Sequence, residues 1–213
     1  MKTASELITD FREDERDNVA PYFWSDRQLL RWLNEAIDEY AIQSQSIVDR
    51  ASPITRLELE PGVSEVGFDG RILDILEART PERELKVVPV GKVRAADYTR
   101  LGVPCFLELH ISDRLMQLYP APAVATTLTL TVVRLPMQPV DKTSELCDIP
   151  RQHLKHLLTY MRGQAYAVQD AEVYDAQKAQ LNEARFKAAM QDVYEEASRR
   201  RRSSTGRIRF NPL

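Results

Sequence analysis

Glycine is scarce in this 213-residue chain, only seven residues, and neither a GxxxxGK(S/T) nor a GxGxxG stretch occurs. The usual glycine-rich backbone cradle for nucleotide phosphates is therefore missing. Cysteine is rarer still. Cys105 and Cys147 stand far apart with no CxxC and no Cys/His cluster, which excludes a disulfide framework and a structural zinc site and leaves two thiols expected to be buried. No apolar run approaches the roughly 18 residues of a membrane span. The opening Met1-Lys2-Thr3-Ala4-Ser5-Glu6 lacks the apolar core of a secretory signal. A folded cytosolic protein with no membrane partner is expected. GxSxG, a Cys with a nearby His and a repeated Asp/Glu metal cluster are likewise absent, so no enzyme, cofactor or metal is expected.

Two weak chemical signals remain. His153 and His156 are three apart, on one helix face, with Glu145 and Asp148 upstream as further ligands. A zinc helix normally spaces its histidines by four with a Glu between, so the pair reads as solvated or partner-facing. Asp10, Glu13, Asp14, Glu15 and Asp17 form an acidic run that reads as a solvated face. It would serve a hydrolase only if two of its carboxylates shared a cleft.

What is present is an uneven charge. The whole chain carries −3, but its last fifteen residues hold six arginines and no acid, so residues 1–198 carry 23 bases against 32 acids, a net −9. Such a body is ill suited to grip nucleic acid, which requires clustered Lys and Arg on a folded face.

Periodicity orders the chain as helices, strands, then helices. Thr3-Ala4-Ser5-Glu6 is a capping box opening a helix from Ala4 to about Arg16. Ser25-Asp26-Arg27-Gln28 repeats it, followed by a stripe of Leu29, Trp32, Leu33, Ala36, Ile37 and Tyr40 that predicts a helix to about Val48. Between them, Val19-Ala20-Pro21-Tyr22-Phe23-Trp24 either staples the helices together or faces a partner. From Ile54 to Glu60 apolar and polar residues alternate. Further β-rich runs cover Arg71–Arg79, Leu85–Val90, Pro104–Ile111, Leu115–Tyr119 and Thr126–Leu135, with a helical insert over Lys92–Thr99. The Thr/aliphatic alternation of Thr127–Val132 is that of an antiparallel strand with one solvated face. Asp148-Ile149-Pro150 supplies a cap and a first-turn proline for a long helical region. Its stripe of Leu154, Leu157, Leu158, Met161 and Ala165, and a break near Gln169-Asp170, predict a helical hairpin.

The predicted fold class is α+β: a helical bundle built from N- and C-terminal helices, a central antiparallel β-rich insertion of sandwich or barrel type, and an extended C-terminal arm. The segments are 1–50 (N-terminal helices), 51–140 (β-rich domain), 141–198 (helices completing the bundle) and 199–213 (basic arm). In the arm, Arg199, Arg200, Arg201 and Arg202 precede Arg207-Ile208-Arg209-Phe210, where apolar residues alternate with arginines. Like charges and flexible polar residues predict disorder in isolation. Three uses fit: an extended peptide with Ile208 and Phe210 in pockets and its arginines on carboxylates, a nucleic-acid arm, or a solubilising tail that complements a helix dipole.

Four stretches resemble the head-to-tail adaptor (connector) proteins of tailed bacteriophages. They are Trp24–Ala36 with its Leu33-Asn34-Glu35-Ala36; Leu115-Met116-Gln117-Leu118-Tyr119-Pro120-Ala121-Pro122 with the strand after it; Asp148-Ile149-Pro150 leading into a helix; and a helix with Tyr174 and Phe186 ending in a basic tail. The resemblance implies a structural virion protein assembled in the host cytoplasm, with typically twelve copies forming a ring. The portal protein would lie on one side, docked by Arg199–Arg202, Arg207, Ile208, Arg209 and Phe210. A tail, nozzle or next connector protein would lie on the other, with double-stranded DNA passing through unread. A tail completion or other connector ring protein, or a nucleic-acid-binding assembly module acting through the basic tail, are the alternatives. The four-arginine run matches no motif of the family.

Overall fold

The computed structural model describes residues 2–94, 98–169 and 173–204, leaving aside the side chains of Ile111 and of residues 202–204. The chain forms two compact units, Met1–Ser46 with Pro136–Leu213, and Ile47–Leu135.

The first unit is helical. Helix α1, Ala4–Asp14, starts at the predicted capping box: Thr3 Oγ1 accepts from the Glu6 amide at 3.2 Å and the Glu6 carboxylate accepts from the Thr3 amide at 2.7 Å. The later part of the chain closes on this start, with Ala4 N–H donating to Ser144 O and Leu146 N–H to Lys2 O. Helix α2, Asp26–Ser44, has the second capping box, Ser25 with Gln28, and every residue of its predicted stripe is buried. It stops earlier than expected because Gln45 turns left-handed (φ 47°) and Ser44 Oγ donates to the Tyr40 carbonyl and accepts from the Ser46 amide. Val48 therefore leaves the helix and begins a strand.

A 3-10 turn, Arg151–His153, leads into helix α3, Leu154–Ala167. Pro150 occupies the cap position of that turn and no side chain caps it, so Asp148 does not play the expected capping role. Helix α4, Ala176–Ser204, returns along α3, with the Tyr160 and Phe186 rings meeting edge-on at 5.1 Å. Phe186, Met190 and Val193 are buried, whereas Tyr174 and Leu181 face outward.

The second unit is an eight-stranded sheet curled into a half-barrel: β1 Val48–Asp49, β2 Arg56–Leu59, β3 Glu65–Gly67, β4 Ile72–Arg79, β5 Glu84–Pro89, β6 Phe106–His110, β7 Leu115–Tyr119 and β8 Thr126–Arg134. The order is β1-β8-β4-β5-β6-β7-β3, with β2 also on β8. All pairs are antiparallel except β5 with β6, which run parallel. A parallel neighbour needs a long crossover, and residues 90–105 supply it. The helix expected over Lys92–Thr99 falls partly on 95–97, outside the described residues. On β8, Leu128, Leu130 and Val132 point into a core with Leu59, Ile75, Leu107, Met116 and Leu118. Thr127, Thr129 and Thr131 face the other way, Thr127 bonding Glu58 and Thr131 bonding Glu77 across the strands. At the base of the sheet Arg134 Nε donates to Asp49 Oδ2 at 2.5 Å, both side chains nearly enclosed. The thiols correct the expectation of burial: Cys147 is exposed and Cys105 half-buried, both free.

Candidate assembly surface

The arginine run sits in a helix. Helix α4 continues through Arg199–Arg202 to Ser204, which corrects the extended arm expected from residue 199; Arg207, Ile208, Arg209 and Phe210 lie outside the described residues. Arginine is itself a good helix former, and four positive charges at a helix C-terminus interact favourably with its dipole. Local pairing adds to this. Arg200 bridges to Glu196 one turn back, and Arg201 donates to the Gln45 carbonyl at the end of α2 and to Ser198 Oγ, both at 3.3 Å. Mutual repulsion within the run is outweighed by the helix it extends.

The same end of α4 reaches a buried relay. Glu196 lies 3.8 Å from His153 Nε2; His153 Nδ1 is 2.7 Å from Tyr40 Oη, which accepts from Ser46 Oγ at 2.9 Å. Burial lowers the pKa of both His153 and His156. Their rings meet at 5.9 Å, and among the described residues no group of three or more His, Cys, Asp or Glu is placed to hold a metal.

The acidic run is dispersed among cations. Asp10 pairs with Lys2, Asp17 with Arg12, and Asp14 and Glu15 both with Arg162. Burial, then the hydrogen bond to Glu15, pushes the Tyr166 hydroxyl up to about 12, so it stays protonated and donates to that carboxylate. Asp14 and Glu15 thus meet on one guanidinium, while Asp10 and Asp17 each have a cation of their own.

Arg12 is the centre of the aromatic loop. Only 7% exposed, it donates to Asp17 Oδ2 at 2.5 Å, to the Trp24 carbonyl at 2.9 Å and to Asp26 Oδ1 at 2.7 Å, and it lies 3.9 Å from the Tyr22 ring centre. Asp17 Oδ1 in turn takes the Phe23 amide at 2.7 Å. Trp24 packs inward, edge-on to Phe11 at 5.5 Å. Val19, Tyr22 and Phe23 remain outside, 75%, 49% and 56% exposed. The loop thus does both things its composition allowed, one aromatic stapling the helices and the others displayed.

A groove of about 550 Å³ opens between α2, α3 and α4, with Tyr160, Gly163 and Phe186 inside and Glu39, Gln43 and Glu183 along it. Burial first, then the Glu35, Glu39 and Glu183 carboxylates, raises the Tyr160 pKa; Lys187, paired with Glu183, also lines the groove. In the β unit, Gly62 N–H donates to Pro122 O, Gly102 N–H to Ala121 O and Ala123 N–H to Gly102 O, gathering exposed Val63, Leu101, Val103 and Val124 at one end of the sheet. Sequence reading missed both the groove and this apolar end, because neither has a local pattern. Each is made by residues distant in the chain.

The family profile described as SU10 adaptor protein matches residues 2–209, nearly the whole chain. The chain belongs to the SU10 adaptor family. This adaptor is therefore a structural head-tail protein of a bacteriophage, a virion component of a family not known for catalysis. Membership implies interaction with portal and tail proteins. Comparison with curated proteins returns no match. No helix of the adaptor, among the described residues, is long and apolar enough to cross a membrane.

Proposed function

We propose that this adaptor forms a ring, of about twelve copies as the resemblance implies, joined to the portal on one side and to a tail, nozzle or further connector protein on the other. The basic C-terminal segment docks it: Arg199–Arg202 on the last turns of α4, then Arg207, Ile208, Arg209 and Phe210 pairing with portal carboxylates and apolar pockets. The observation that carries this reading is the family match over residues 2–209 in a chain whose arginines are gathered past residue 198. The net −9 of residues 1–198 suits a channel wall that repels DNA and lets it pass without sequence-specific binding. Assembly takes place in the host cytoplasm before the virion is complete.

Negative-stain imaging of portal rings mixed with the full chain, or with a chain ending at Ser204, tests the docking role. The full chain is expected to add a ring of density and the shortened chain to add none. Equal binding by both removes the role of residues 205–213, and no binding by either removes the portal contact. The six arginines also favour a second reading, an arm that grips DNA. That reading predicts DNA affinity that disappears with the arm and falls steeply with salt.

A further inference from the structure

The aromatic loop and the groove are complementary. The loop is a convex apolar knob: Val19, Tyr22 and Phe23 stand in solvent, and the loop is anchored at its two ends, at Asp17 by the buried Arg12 pair and at Phe23 by its amide bond to Asp17. A loop anchored at both ends loses less conformational entropy on being covered than a free one. Arg16 and Arg27 flank it, exposed and without an ion pair among the described residues. The groove is concave, floored by Tyr160, Gly163 and Phe186 and bordered by Glu39 and by Glu183, the latter already paired with Lys187 of the same rim. Arginines beside the apolar knob therefore meet a groove rim on which, among the described residues, Glu39 has no cation beside it and Glu183 shares its charge with Lys187. The loop cannot fill the groove of its own chain at Glu39 and Gln43, because it precedes Asp26 and roughly 20–25 Å of α2 separates them.

We propose that the Val19–Phe23 loop of one copy seats in the α2–α3–α4 groove of a second copy, with Arg16 and Arg27 beside Glu39 and Glu183. Two different surfaces are used, so each copy offers a loop to one neighbour and a groove to the other. Such head-to-tail contacts close into a ring when the rotation between copies permits. The inference deepens the ring reading and rests on it for that closure.

Paired cysteines test the contact. In a chain with Cys105→Ser and Cys147→Ser, Phe23→Cys and Gln43→Cys are introduced singly and together, and mild oxidation is followed by denaturing electrophoresis, free and on portal rings. A disulfide requires Cα atoms within about 7 Å, which the length of α2 forbids within one chain. The double variant is expected to give a ladder of covalent multimers, and each single variant none. Phe23→Ser, at an exposed position, is expected to weaken self-association measured by light scattering by about tenfold or more, as loss of a central aromatic anchor does. Assembly without a ladder, with Phe23→Ser unchanged, overturns this contact and leaves the ring reading standing. A dimer from Phe23→Cys alone overturns it in favour of a symmetric loop-to-loop contact. Phe23→Ser abolishing portal binding but not self-association assigns the loop to the portal instead. No self-association, free or on the portal, overturns both the contact and the ring.

Discussion

Replacing Arg12 with methionine keeps the apolar stem of the side chain and removes its charge. The wild-type guanidinium joins Asp17, the Trp24 carbonyl and Asp26, and the Asp17 side chain is fully enclosed. Arg12→Met leaves Asp17 with the Phe23 amide as its remaining hydrogen-bond donor and strips the Trp24 carbonyl of its guanidinium donor. Breaking a buried ion pair from one side costs about 3–5 kcal/mol, because the surviving charge is uncompensated. The half-exposed Asp26 adds little to that sum. For a chain of this size each kcal/mol moves the melting temperature by about 2–4 °C, so a drop of about 10 °C is expected. Scanning calorimetry and urea unfolding measure it. Hydrogen exchange at the Phe23 amide should accelerate in the same variant. Arg12→Met/Asp17→Leu should recover at least half of the loss, since no charge is then left buried, and Glu13→Gln at an exposed acid should change almost nothing. A loss below about 1 kcal/mol for Arg12→Met, or a double variant worse than the single one, would refute the assignment of Arg12 as an electrostatic centre.

Acidification should weaken the helical unit first. His153 and His156 have lowered pKa values when folded, so the unfolded chain takes up protons at a higher pH, and stability declines as pH falls from about 6.5 toward the folded value. Urea midpoints at pH 7.5 and 5.5 measure the slope, which His153→Gln/His156→Gln should flatten; an unchanged slope contradicts the burial argument. The β unit should follow at lower pH. Burial pushes the Asp49 carboxyl up, but the Ala51 amide, Ser52 and Arg134 outweigh it and hold it well below its ordinary value, so the stability it adds above about pH 4 disappears below that. Arg134→Met should remove part of that acid transition, the Ala51 and Ser52 bonds holding the rest, read by near-ultraviolet circular dichroism. Leu130→Ala, at a fully buried position on the interior strand β8, should cost about 2–5 kcal/mol in chemical denaturation, whereas Thr129→Ala on the opposite face should cost far less.

Where the physics is local, the sequence was readable. Both capping boxes, the α2 stripe from Leu29 to Tyr40 and the Thr/aliphatic alternation of β8 depend on neighbours within a few residues, and the structure has each of them. The misses involve partners far along the chain. β1 and β3 are two and three residues long and exist because β8 and β7 accept them. The parallel β5–β6 pair requires a crossover that no local pattern announces. Arg12 belonged to an apparently solvated, charge-rich segment, and only the fold brings Asp17, Trp24 and Asp26 around it. Arg201 likewise looked like one more charge in a disordered run, whereas the end of α2 gives it a carbonyl to meet.

The chain enters and leaves the β unit through a single gate. Val48 pairs with Val133, the Arg134 amide donates to Ile47 O at 3.1 Å, and the Asp49–Arg134 pair locks the two strands side by side. A segment whose ends already touch is a cassette. It can be lengthened, exchanged for a relative's version, or cut out and bridged by a few residues without altering the spacing between the stretches that flank it. Pressure to fit a new neighbour can therefore be met by rewriting 47–135 alone, while the helices and the arginines at the end of α4 keep their sequence.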